Sequence, residues 1–211
     1  MPFVYSKGAL STIRTAISRD RLSTYMAETK GNIANAVLLY ERNTRLSQSL
    51  YGVLQRLEIS FKNSVHRTLT AAAGSADWFK SFPLRTREIE SVENAKKNIV
   101  RWSYTPKAAR IVAELTFGFW TQLVSKEYEK TLWVPHLYKA FPHLDKPDRH
   151  HVFVRLMSIK TLRNRIAHHE HLLSRNLPKD YSDIIETLEW ICPTTAAWVQ
   201  ATNRFHLEYS N

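Results

Sequence analysis

The chain has 211 residues, 44% of them hydrophobic, and 30 Lys and Arg against 19 Asp and Glu give a formal charge of +11. That is long enough for one compact domain and too apolar for a disordered chain, while a lone cysteine, Cys192, excludes an internal disulfide and a cysteine-rich metal site. The charge calls for a polyanionic partner, nucleic acid first and an anionic membrane surface second.

Only five glycines, with Leu, Ala, Arg, Lys and Glu abundant, favour helix. The opening residues lack the apolar run and small-residue cleavage pattern of a signal peptide. A first helix is expected over Leu10 to Glu28, closing at the Lys30-Gly31 turn. A second starts at the capping residue Asn32 and runs towards Leu46. Leu50, Leu54, Leu57, Phe61, Val65 and Leu69 then recur at three- and four-residue spacing, the pattern of a long amphipathic helix. Sequence alone leaves open whether these last two are one helix or two.

Gly74 to Arg87 reads as a connection, followed by a helix over Glu88 to Trp102. Pro106 suits a helix start, and the apolar stretch after it passes Ile111, Leu115, Phe119 and Leu123. Trp133 to Pro147, with three prolines, reads as an irregular packed loop. A helix from Arg149 to Leu173 comes next, and Pro178 and Pro193 introduce two terminal helices, Tyr181 to Trp190 and Thr194 to Glu208. No period-two strand pattern competes, so the expectation is all-α. The chain reads as one domain, residues 1–211, whose first helix, about 8–30, forms an extension. No apolar run reaches the roughly 18 residues of a membrane span, and the expected location is the cytoplasm.

The most informative string is Leu162 to Leu173, LRNRIAHHEHLL. Arg163, Asn164 and His168 place a fixed cation, an amide and an imidazole within six residues. Metal-free RNA cleavage needs a cation for the phosphate and a group that moves protons near neutral pH. Arg155 to Lys179 carries six basic side chains and one acid, Glu170, whereas Asp180 to Asn211 carries five acids and one base. The positive field is thus concentrated on the motif, although composition alone favours a solvated basic face.

On a continuous helix Val152, Leu156, Ile159, Leu162, Ile166 and Leu173 form one apolar stripe. With Leu162 at zero, Asn164 falls at roughly 200° and His168 at roughly 240°, away from the stripe. His169 falls at roughly 340°, which marks it as a packed structural histidine. His171 faces outward, solvated or towards phosphate, and Arg163 lies on the flank. A single imidazole per face suggests a two-fold dimer that brings two copies of His168 to one cleft. Neighbouring His168, His169, Glu170 and His171 have incomplete metal-ligand spacing. Glu58 and Lys62, at i and i+4, read first as a surface ion pair, and Phe117, Phe119 and Trp120 as core.

Arg163-Asn164-x-x-x-His168 resembles the Arg, four to six residues, His motif of the HEPN superfamily of ribonucleases. LRNRIAHHE, at Leu162 to Glu170, is similar to the most recognisable string of the bacterial Abi-like, or abortive infection, proteins. Ile111 to Trp120 (IVAELTFGFW) with Tyr128 and Leu132-Trp133, Trp190 to Pro193, and Leu57-Glu58 to Asn63 resemble further signatures of that family. Lys62-Asn63 stands where Arg-Asn is usual, which keeps the charge but loses the planar fork.

The resemblance implies a dimeric HEPN-like helical bundle with additional helices and metal-independent RNA cleavage, in phage defence or as a toxin with an RNA or protein antitoxin. It implies a catalytic set of Arg163, Asn164 and His168. RNA-binding residues would be Lys62, Asn63, Arg165, His171 and Arg175, with Glu58 and His169 in support and no metal or cofactor. RNA is the implied substrate because its 2′-hydroxyl is an internal nucleophile. RNA binding without cleavage and a partner-binding regulator are the alternatives.

Overall fold

The computed structural model describes residues 3–210, and every regular element among them is helical. Ten α-helices follow in order: α1 Lys7–Ile17, α2 Arg19–Glu28, α3 Ile33–Ala73, α4 Thr86–Arg101, α5 Ala108–Glu114, α6 Phe117–Gln122, α7 Arg149–Ala167, α8 Leu177–Ile191, α9 Pro193–Thr202 and α10 Phe205–Ser210. No helix among the described residues is long and apolar enough to cross a membrane.

The axis of the fold is α3, whose 41 residues span about 60 Å at the helical rise. Its expected stripe is the core: Leu50, Leu57, Phe61, Val65 and Leu69 are fully buried and Leu54 nearly so. Each such side chain contributes about 1.5–3 kcal/mol when taken out of water. The two expected helices are therefore one. Asn32 caps its start by accepting from the Asn35 N–H, and Gly74, in the left-handed conformation at φ 64°, ends it. Helices α2, α6, α7, α8 and α10 pack on α3. The stripe of α7, Val152, Leu156, Ile159, Leu162 and Ile166, is buried against the same core.

Several expected helices are broken by side-chain caps. At Ser18 the backbone turns to φ 83° and Oγ accepts from the Arg21 N–H, which divides the first helix into α1 and α2. Thr116 Oγ1 accepts from the Phe119 N–H at 3.3 Å and separates α5 from α6. Asn203 accepts from the Phe205 N–H and begins α10. Within the expected loop, Leu137–Ala140 forms a 3₁₀ turn, and Phe117, Phe119 and Trp120 are buried as expected.

The end of α7 differs most. The helix stops at Ala167, six residues before the expected boundary, and His168 is its C-terminal cap residue. The Glu170 N–H donates to Arg165 O at 2.8 Å and the His169 N–H to Ile166 O at 3.1 Å. This pair of bonds closes a helix when the residue after the cap turns left-handed. That residue is His169, at φ 57°, where glycine is usual.

Candidate functional site

Three elements hold the motif. Asp148 caps the start of α7, its carboxylate accepting from the His151 N–H at 2.7 Å and the His150 N–H at 3.3 Å. Those amide donors hold its carboxyl below the usual carboxylate range. At the other end buried Asn43, on α3, accepts from the Leu172 N–H at 2.8 Å and fixes the segment after the helix. Arg21, on α2, donates to His169 O at 2.6 Å and His168 O at 3.4 Å. The N-terminal helices thus clamp the segment bearing the histidines.

Arg163 stands at a wall shared by two clefts. The larger, about 530 Å³, lies between α3 and α7; Thr44, Gln48 and Tyr51 line one side and Arg163, Ile166 and His169 the other. The smaller, about 290 Å³, lies between α4, α6 and α7 and takes in Arg87, Lys160, Arg163 and Asn164. Arg163 Nε is 3.5 Å from Glu58 Oε2, so Glu58 on α3 pairs with Arg163 across the helices instead of with Lys62. Both members are partly exposed, which limits the pair to a fraction of a kcal/mol up to about 1 kcal/mol.

His168 is exposed and lines neither cleft. Its N–H donates to Asn164 O at 2.9 Å, so the two are joined through the backbone. His169 departs from expectation: having left the helix it is exposed and shares the larger cleft with Arg163, rather than packing on the apolar stripe. His171 does not face outward. It is half-buried, and its enclosed Nδ1 has no hydrogen-bond partner among the described residues.

The expected RNA-binding residues separate. Arg165 pairs with Glu170 at 3.1 Å, at the surface beside the motif. Arg175 is held by both oxygens of Asp180, at 2.7 and 2.5 Å, with little of either side chain exposed. That fork engages the guanidinium, so an RNA phosphate would have to compete with Asp180 for Arg175. Lys62 is half-buried one turn beyond Glu58 and Asn63 is exposed; neither lines the clefts beside Arg163. Among the described residues no group of three His, Cys, Asp or Glu side chains is placed to hold a metal ion.

Family models, curated proteins and solved structures were compared with the chain, and none matches.

Sequence reasoning missed Lys160, Arg87 and Arg21. Lys160 was legible in principle, since it lies four residues before Asn164 and shares its helix face. Arg87 and Arg21 come from other helices, and no local pattern connects them to the motif.

Proposed function

We propose that this protein is a metal-independent endoribonuclease of the HEPN type, working as a homodimer in phage defence or as the toxin of a toxin–antitoxin pair. The observation that carries the reading is the placement of Arg163 between two clefts, with exposed His168 capping the same helix and exposed His169 just beyond it. The charge of +11 suits an RNA ligand, and equally an RNA or acidic protein antitoxin.

In this reading Arg163 holds the scissile phosphate and stabilises the charge that grows on its oxygens. An imidazole takes the proton of the 2′-hydroxyl as that oxygen bonds to phosphorus. The bond from phosphorus to the 5′-oxygen breaks, and a second imidazole protonates the leaving oxygen. The products are a 2′,3′-cyclic phosphate and a 5′-hydroxyl. His168 keeps its expected role, and its exposure suits a two-fold pairing that brings a second copy near. His169, which shares a cleft with Arg163, joins it as the second proton-transfer group. The left-handed backbone at His169 adds support, because such strain concentrates at functional sites. Asn164 orients the phosphate from the smaller cleft.

RNA binding without cleavage is the second reading, and one observation favours it: His168 borders neither cleft that Arg163 lines. Single-turnover assays on RNA with the wild type, His168→Ala and His169→Ala separate the two. Cleavage by the wild type that either substitution lowers by 100-fold or more supports the nuclease. Tight binding with no cleavage by any of the three supports the binding module.

A further inference from the structure

The smaller cleft is a cationic pocket built from three helices. Arg87 reaches it from α4, and Lys160, Arg163 and Asn164 from successive turns of α7, while Ser91 and Thr116 add hydroxyls. Its one carboxylate among the lining residues, Glu88, is buried and already engaged, because the Tyr128 hydroxyl donates to it at 2.6 Å. Burial and that bond push the Tyr128 hydroxyl pKa up, so it keeps its proton and donates to Glu88. Neither Arg87 nor Lys160 has an acidic partner among the described residues, although Lys160 is half-buried.

Gly118 lines the pocket beside Lys160. A Cβ at that position would touch Lys160 Cε at 3.4 Å and Nζ at 3.6 Å, in the space beside the ammonium. A half-buried lysine with no acidic partner among the described residues, next to a guanidinium and an amide in about 290 Å³, is chemistry for a tetrahedral oxyanion. The pocket opens onto Arg163, the same side chain that borders the larger cleft.

We propose that this pocket binds a backbone phosphate of single-stranded RNA, the one next to the phosphate held by Arg163, through Lys160 and Arg87. The proposal rests on RNA being the ligand, but not on its being cut. Phosphate contacts position a strand and carry no sequence information, so this pocket sets the register of the strand along α7.

The test measures binding of a fluorescent 12-nucleotide RNA between 50 and 400 mM salt, in a His168→Ala, His169→Ala background that keeps the RNA whole. Each phosphate contact on a single strand contributes about 0.7 to the slope of log affinity against log salt. Lys160→Gln and Arg87→Gln should each lower the slope by about 0.7, which is about five-fold in affinity at 0.1 M salt. Lys97→Gln, an exposed lysine of α4 that does not line the pocket, should change it far less. Gly118→Val places a side chain beside Lys160 without removing charge and should weaken binding in the same direction as Lys160→Gln, in protein whose melting temperature is retained. Equal effects of Lys160→Gln and Lys97→Gln would overturn the proposal, even for a protein that cleaves RNA. So would a pocket that serves free phosphate. In that case inorganic phosphate raises the melting temperature of the parent but not of Lys160→Gln, and the two bind RNA equally.

Discussion

Glu58 on α3 and Arg163 on α7 face each other with the guanidinium Nε 3.5 Å from the carboxylate. Among the described residues, the carboxylate paired with Arg163 therefore comes from another helix. A bound phosphate has to compete with it. Replacing Glu58 by Gln frees Arg163 and removes a charge that repels RNA. RNA affinity is expected to rise by up to about five-fold, with stability changed by less than about 1 kcal/mol. Titration of labelled RNA checks this, and weaker binding would mean that Glu58 holds Arg163 in its working position.

His169 occupies a left-handed backbone conformation that glycine adopts at no steric cost. His169→Gly is expected to stabilise the protein by about 0.5–1 kcal/mol, since the relieved strain exceeds the added entropy of the unfolded chain. The same substitution removes an imidazole from the larger cleft and should depress cleavage strongly. Denaturant melts and single-turnover rates measured together reveal the opposition. A variant both less stable and fully active would contradict the role given to His169.

Arg175 and Asp180 form a largely enclosed two-pronged ion pair. Arg175→Ala strands the carboxylate and is expected to cost about 3 kcal/mol of stability. RNA affinity measured well below the lowered melting temperature should stay within two-fold of the wild type. A loss of RNA binding at unchanged stability would place Arg175 on the RNA surface.

Asp148 caps the motif helix, and Asp148→Ala is expected to destabilise by about 1 kcal/mol at pH 7. The folded pKa of this carboxyl is depressed, chiefly by the His151 N–H that donates to it. Its contribution is therefore complete above the unfolded pKa, about 3.9, and is lost as pH falls through the lower folded value. Melts of the two proteins should differ at pH 7, and the gap should shrink as pH falls below about 3.9. A gap that widens in acid would show that Asp148 acts other than as an ionised cap.

Much of the fold is legible in the sequence because burial imposes helical spacing. Leu50 through Leu69 and Val152 through Ile166 recur at that spacing and are the buried stripes of α3 and α7. The breaks are less legible, since Ser18 and Thr116 sit within patterns that continue past them and only their caps interrupt the helix. At the site, Arg163 and Asn164 fall near their helical-wheel positions. The histidines do not, because a wheel assumes a continuous helix and α7 ends at Ala167. A histidine in the place of the usual glycine gave no sign of that end. Arg21 and Asn43, which clamp the histidine segment, lie far away in sequence and meet it only through packing.

The central claim is metal-free cleavage of RNA directed by Arg163 and the two histidines. The most direct measurement incubates purified protein with RNA in excess chelator, alongside Arg163→Ala and the His168→Ala, His169→Ala double variant, and identifies the product ends. Fragments ending in 2′,3′-cyclic phosphate, formed by the wild type and reduced by 100-fold or more in both variants, are the predicted result. Cleavage that persists undiminished in the variants, or that stops when chelator is added, would contradict the account.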